Sequence, residues 1–254
     1  PEGRLDAERI IVAMRMRPRP MASIITVTYS STRVLLAPVL RCRLALARLD
    51  LCEWMYPTDA SHMTVPGKDL LRILLIGDAA VAGFGIRTHQ LGVAAHLARR
   101  LAALTGRGID IRVQANPSMA ACSVPDLIEA AAEHKYDAII LMLATNDAMA
   151  LTAVPHWSRS MGRALALLHT IVPNAGFITT IADIGAIGRL ATLTRLICGT
   201  HAEVLNRTIE QLCTKTGHSP IRLESAQSLV SATYETWANS ISAIVFSTIA
   251  QTSR

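Results

Sequence analysis

The sequence predicts a three-layer α/β/α domain, a parallel sheet with helices on both faces. Three observations predict it. Short apolar runs recur along the chain, the first closed by Gly77-Asp78. Longer stretches between them place apolar residues three and four positions apart, the helical period. Hydrophobic residues make up 51% of 254 residues and charged residues 17%. That composition supplies a core able to cover a sheet on both sides.

Residues 1–20, with Met14-Arg15-Met16-Arg17-Pro18-Arg19-Pro20, show no apolar period and are expected to form a disordered basic arm. Residues 21–69 read as a helical extension and a linker. Ile24, Ile25, Val27, Leu35 and Leu36 are apolar, but Thr26, Thr28, Ser30, Arg33 and Pro38 interrupt them. A membrane-spanning helix wants about 20 mostly apolar residues. An amphipathic helix packed on the domain or lying on a membrane surface fits better. No clear signal peptide is present, so the expected location is cytoplasmic or membrane-associated. Pro57, Pro66 and Gly67 mark residues 56–69 as the way into the main domain, 70–254.

Leu71–Ile76 is broken only by Arg72 and is too short for a helix, so it reads as a buried first strand ending at Gly77-Asp78. Residues 87–105 read as a helix through Leu91, Ala94, Ala95, Ala98, Leu101 and Leu104. Ile109–Ala115 suits a second strand. Ser123 is a candidate helix cap, with Pro125 in the first turn and Asp126 beside it, for a helix to about His134. Asp137–Leu143 is strand three, 156–171 a helix and Phe177–Ala182 strand four. Residues 188–216 are helical around a break at Gly199, Ile221–Leu223 is a short strand five, and 230–250 a final helix.

Charge and cysteine content exclude several functions. The net charge is +6, and residues 1–50 alone carry nine arginines against Glu2, Asp6, Glu8 and Asp50. Such an arm suits an anionic membrane surface. Aromatics are 4%, too few for base stacking, and no nucleic-acid partner is expected. The five cysteines are scattered, with no CxxC pair, and the eight histidines show no metal spacing. Neither a metal nor a cofactor is expected. Cys198 and Cys213 lie in apolar helical patterns and read as buried thiols. Gly83 and Gly85 suggest a phosphate loop only weakly, since neither G-x-G-x-x-G nor a following lysine is present.

Ligands in open α/β sheets sit beyond the carboxyl ends of the strands. There the wording Gly77-Asp78-Ala79, followed by Gly83 and Gly85, resembles the first block of the SGNH (GDSL-type) hydrolases. Ala144-Thr145-Asn146-Asp147 resembles the third block, Gly-x-Asn-Asp, and Tyr234-x-x-Trp237-Ala238 the start of the last helix. The resemblance covers roughly residues 34–250. It implies a flavodoxin-like five-stranded parallel sheet in the order 2-1-3-4-5. It also implies an esterase or acyl-hydrolase site, with oxyanion donors at Ala79, at Ser118 of the second block and at Asn146, and with Gly77, Asp78, Gly83 and Asp147 shaping the site.

The chain departs from that family at every catalytic position. The nucleophilic serine is Ala79, and the Asp-x-x-His of the last block falls on Ser225 and Ser228. Asp183 is the last aspartate and His218 the last histidine, so no such motif can follow. A serine hydrolase needs a hydroxyl, a base and a carboxylate to orient the base. The resemblance therefore implies a degenerate member that binds an acyl, carboxylate or acetylated-sugar ligand. Two alternatives stand beside it: an esterase rerouted through other residues, with Cys122 as candidate nucleophile, and a membrane-surface or protein-interaction module. For Asn146, a purely structural role in its own turn also stands. His89 and His96 read as surface or packing residues.

Overall fold

The computed structural model describes residues 37–39, 42, 56–184, 192–225 and 228–252. The chain divides into two units, Pro1–Val39 and Leu40–Arg254, and the sheet with its helices belongs to the second. The basic arm, most of the helical extension and the segment 185–191 lie outside the described residues.

The sheet has six strands: β1 Met63–Val65, β2 Leu71–Gly77, β3 Ile109–Ala115, β4 Ala138–Met142, β5 Gly176–Thr179 and β6 Pro220–Ile221. Their order is β1-β3-β2-β4-β5-β6. β2 runs parallel between β3 and β4, with Leu71 opposite Ile109 and Ile73 opposite Ala138. The five parallel strands therefore stand in the expected order. The sixth is a correction: Met63–Val65, expected as linker, pairs antiparallel with Ile109–Ile111. A three-residue strand closed by Pro66 carries too little pattern to be read in advance. It does cover part of the β3 edge, whose backbone groups would otherwise lie open.

The helices are α1 Val93–Thr105, α2 Val124–Ala131, α3 Thr145–Met149, α4 Val154–Ile171, α5 Thr192–Thr216 and α6 Ser231–Thr252. α1 and α6 pack together on one face. Leu97 and Leu101 of α1 and Trp237, Ile241 and Val245 of α6 share a core with Ile73, Leu75, Ile111, Ile140 and Phe177. Side chains alternate along a strand, so Leu74, Ile76, Ile139 and Leu141 turn to the other face, also fully buried. In the opposite layer α4 packs against α2 and α5.

Three local expectations are corrected. Residues 87–92 are not the start of α1 but a turn and a short 3-10 segment, His89–Leu91, ended by Gly92 in an extended conformation. Ser123 makes no cap bond; its hydroxyl donates to the Ala120 carbonyl instead. α5 runs unbroken through Gly199, because Cys198, His201, Ala202 and Leu205 bury one side of it. That burial outweighs the roughly 1 kcal/mol a mid-helix glycine costs. Among the described residues no helix is long and apolar enough to cross a membrane.

Candidate functional site

β2 ends in the tightest backbone approach of the site. A Cβ on Gly77 would stand 2.2 Å from the Val81 side chain and 2.3 Å from the Met142 carbonyl oxygen. The turn beyond it is closed by Ala82 N–H on the Asp78 carbonyl at 2.9 Å and Phe84 N–H on the Ala79 carbonyl at 2.9 Å. Gly83 and Gly85 hold φ of +85° and +81°, which L side chains rarely adopt. Ala79 is half-buried and ends in a methyl group. Among the described residues its backbone N–H has no hydrogen-bond partner.

Asp78 joins this turn to the start of α3. Its carboxylate accepts from Ala80 N–H at 3.4 Å and from Thr145 N–H at 3.0 Å. Its side chain is 1% exposed. Burial pushes the carboxyl up to about 6, and the nearby Asp147 adds to the rise against the backbone donors that oppose it. Asp147 accepts from Ala121 N–H at 2.8 Å, and burial raises its pKa as well. Ala144, where the resemblance leads one to expect a glycine, holds φ of +88°. A left-handed backbone costs a residue with a Cβ about 1 kcal/mol, so a glycine would sit there with less strain.

The raised Asp78 pKa fixes a pH dependence. The folded state keeps a proton that the unfolded chain has already lost, so stability falls as pH rises from about 4 to about 6. It stays lower above that window by about 3 kcal/mol, from roughly two pKa units. His96 and His218 act oppositely: burial lowers both, so their contribution is lost as pH falls through 6.5. Asp78→Asn is expected to be stabilised relative to the parent by about 3 kcal/mol more at about pH 7 than at about pH 4. Urea unfolding of both proteins at the two pH values measures it; a flat difference would show that Asp78 is not the titrating group.

The loop after β3 turns on Asn116. Its N–H donates to the Gly77 carbonyl at 3.2 Å, and its side-chain oxygen accepts from Ser118 N–H at 2.8 Å. Asn146 reaches over from α3 and donates its amide to the carbonyls of Pro117 at 2.8 Å and Met119 at 2.9 Å. The structure thus brings Ser118 and Asn146 into one network in which their N–H groups are directed at acceptors of the chain itself.

The last loop meets the first turn from above α6. Tyr234, fully buried, donates its hydroxyl to the Phe84 carbonyl at 2.6 Å. Trp237 donates to the Glu224 carbonyl at 2.9 Å. A Cβ on Gly85 would stand 2.5 Å from the Leu229 carbonyl oxygen. Tyr234 and Trp237 therefore clamp the loops on either side of them. Ser225 and Ser228 lie exposed on that loop, and the Ser228 carbonyl accepts from the Thr233 hydroxyl at 2.7 Å.

One arrangement escaped the sequence. His96 on α1 lies 3.0 Å from the Ser231 hydroxyl, the one serine hydroxyl on a histidine ring among the described residues. Its other ring nitrogen faces the Arg99 guanidinium at 3.2 Å. A guanidinium only donates, so Nδ1 accepts and the neutral ring carries its proton on Nε2, toward Ser231. A catalytic triad needs the reverse, with a carboxylate at Nδ1 and a free lone pair toward the serine. The two residues are 135 positions apart, and only the α1–α6 packing joins them. Cys122 is exposed beside the second loop, whereas Cys198 and Cys213 are buried, each pushed up to about 11 by burial. Among the described residues no group of three metal-ligating side chains exists.

With this geometry in view, the fold can be placed. The chain has the α/β/α fold of the SGNH, or G-D-S-L, hydrolases. A lipolytic protein of the G-D-S-L family from Veillonella parvula superposes with a TM-score of 0.53 at 13% identity, over 67% of this chain and 95% of its own. A lipase from a goat rumen metagenome gives 0.56 at 14% identity, over 69% and 98%. An alpha/beta hydrolase from the metagenome of Lake Arreo, Spain, gives 0.54 at 14%, over 71% and 96%. At such identities the likeness establishes the fold. No protein-family model and no curated protein matches the sequence.

Proposed function

We propose that this chain is a catalytically silent SGNH hydrolase that holds a small acyl or carboxylate ligand at the turn after β2. The observation that carries the reading is the Ala79 methyl group where the family's chemistry requires a hydroxyl. The exposed Ser225 and Ser228, where a carboxylate and an imidazole would be needed, support it. The reversed tautomer of His96 argues against a rerouted Ser231, since the ring has no lone pair to offer that hydroxyl. The unpartnered N–H of Ala79 supports the ligand half of the reading, because it can donate to a carboxylate or acyl oxygen.

Purified protein is expected to give no turnover of p-nitrophenyl acetate or octanoate attributable to positions 79, 225 or 228. Turnover that survives Cys122→Ala would overturn the silent reading, and its loss in that variant would assign the chemistry to Cys122. Acetate, butyrate and octanoate are expected to raise the melting temperature through preferential binding to the folded state. The absence of any shift would remove the ligand half alone.

A further inference from the structure

Among the described residues of the α/β/α domain, the exposed large apolar side chains are Leu91, Leu193, Leu196, Val230 and Ile244. Singly each would be ordinary, since folded proteins expose many apolar atoms. Their placement is not. Leu91 lies just before α1, Leu193 and Leu196 in the first turns of α5, and Val230 just before α6. Those helices follow β2, β5 and β6, and β2, β4, β5 and β6 run parallel. Leu91, Leu193, Leu196 and Val230 therefore stand at the carboxyl edge of the sheet, the edge that carries the turn after β2. Ile244 alone sits in the body of a helix.

Shape and charge say what covers that edge. Leu193 and Leu196 are 64% and 65% exposed and three positions apart, so they share one side of α5. Leu91 and Val230 flank the opposite layer, beside α1 and α6. Apolar groups set around a rim with polar loops between them do not form the contiguous centre of a protein–protein interface. A soft surface meets all of them at once. The charge around the leucines has one sign. No aspartate or glutamate occurs between Asp78 and Asp110, a stretch holding Leu91 with Arg87, Arg99 and Arg100. Asp59, which reaches that stretch, is taken up by the His89 N–H and ring at 3.0 Å. From Thr192 to Ala202, α5 carries Arg195 and no carboxylate. Val230 has Glu224 and Glu235 on its own segment and adds apolar area only.

We infer that this rim docks on an anionic lipid surface. Leu91, Leu193, Leu196 and Val230 enter the boundary between headgroups and acyl chains, and Arg87, Arg99 and Arg195 meet the lipid phosphates. Docked this way, the domain turns the carboxyl edge of its sheet, and with it the turn after β2, toward the membrane. The contact is separate from the basic arm of residues 1–50, and it does not depend on whether that turn is silent or active.

The full chain is co-sedimented with vesicles of phosphatidylcholine mixed with phosphatidylglycerol, and with phosphatidylcholine alone. Binding is expected to the mixed vesicles and to be at least about tenfold weaker without the anionic lipid. Leu193→Ser with Leu196→Ser is expected to weaken it about tenfold or more, and Leu91→Ser with Val230→Ser severalfold. Arg195→Glu is expected to cost about fivefold or more. Ile244→Ser, equally a loss of exposed apolar area, is expected to bind like the parent. The arm stays in every variant, so each loss is read at the rim. Hydrogen exchange of the parent needs no variant to fold: vesicles are expected to protect residues 88–92, 192–196 and 229–231 and to leave the turn around Ile244 unchanged. The inference is overturned if the chain ignores mixed vesicles, if it binds phosphatidylcholine as well, if the folded leucine variants bind like the parent, or if the rim gains no protection. A dimer in solution that the same leucine substitutions dissolve, without vesicle binding, would overturn it too and assign the rim to a second copy of the chain.

Discussion

Ala79→Ser, Ser225→Asp and Ser228→His together are expected to raise turnover of a short acyl ester about 10²–10³-fold over the parent, while each alone does almost nothing. Triad members act as a unit, and removing one costs nearly as much as removing all. The recovery stays well short of a native hydrolase for reasons visible in the structure. Ser118 N–H is directed at Asn116, and the Asn146 amide at the Pro117 and Met119 carbonyls. Two of the three expected oxyanion donors must therefore reorient before they can stabilise a developing charge. A misplacement of about 1 Å at such a site costs on the order of 10²-fold. Adding Ser118→Gly is expected to help the triple variant more than the parent. A folded triple variant with no turnover would show that the three loops are not the remnant of a catalytic edge.

Gly77→Ala is expected to destabilise the domain by about 4 kcal/mol or more. The added Cβ meets the Val81 side chain at 2.2 Å and the Met142 carbonyl oxygen at 2.3 Å. Val81 has little rotamer freedom. Met142 pairs with Gly77 in the β2–β4 ladder, so its carbonyl cannot retreat without opening the end of the sheet. Losses of that size belong to a short list of mechanisms, overpacking in the core among them. Gly106→Ala is the internal control. Its Cβ meets nothing within 4 Å, but φ is +67°, so a loss of only about 1 kcal/mol is expected. Urea unfolding of both variants measures the contrast. Equal, small losses would show that the turn after β2 yields freely.

The sequence by itself determined the class of fold and which side chains stand at the positions where the resemblance expects a triad. β2, β4 and β5 are legible as short, mostly apolar runs of strand length, and β3 as an alternation of Ile109, Ile111 and Val113 with polar residues. Their parallel direction follows from the helices between them, since a parallel connection needs a crossover, while their order was what the resemblance implied. The absence of a hydroxyl at residue 79, and of any aspartate after Asp183 or histidine after His218, is a matter of residue identity that no folding can reverse.

Tertiary structure decided what depends on residues far apart in the chain. β1 is three residues long and exists only because β3 offers it an edge. Gly199 stays helical only because α5 is buried along one side. Asn146 gains its partners from residues 27 and 29 positions away, and His96 from one 135 positions away. Local propensity describes what a segment prefers by itself, whereas hydrogen-bond direction and burial belong to the pair that packing brings together. The directions of the expected oxyanion donors are of that second kind.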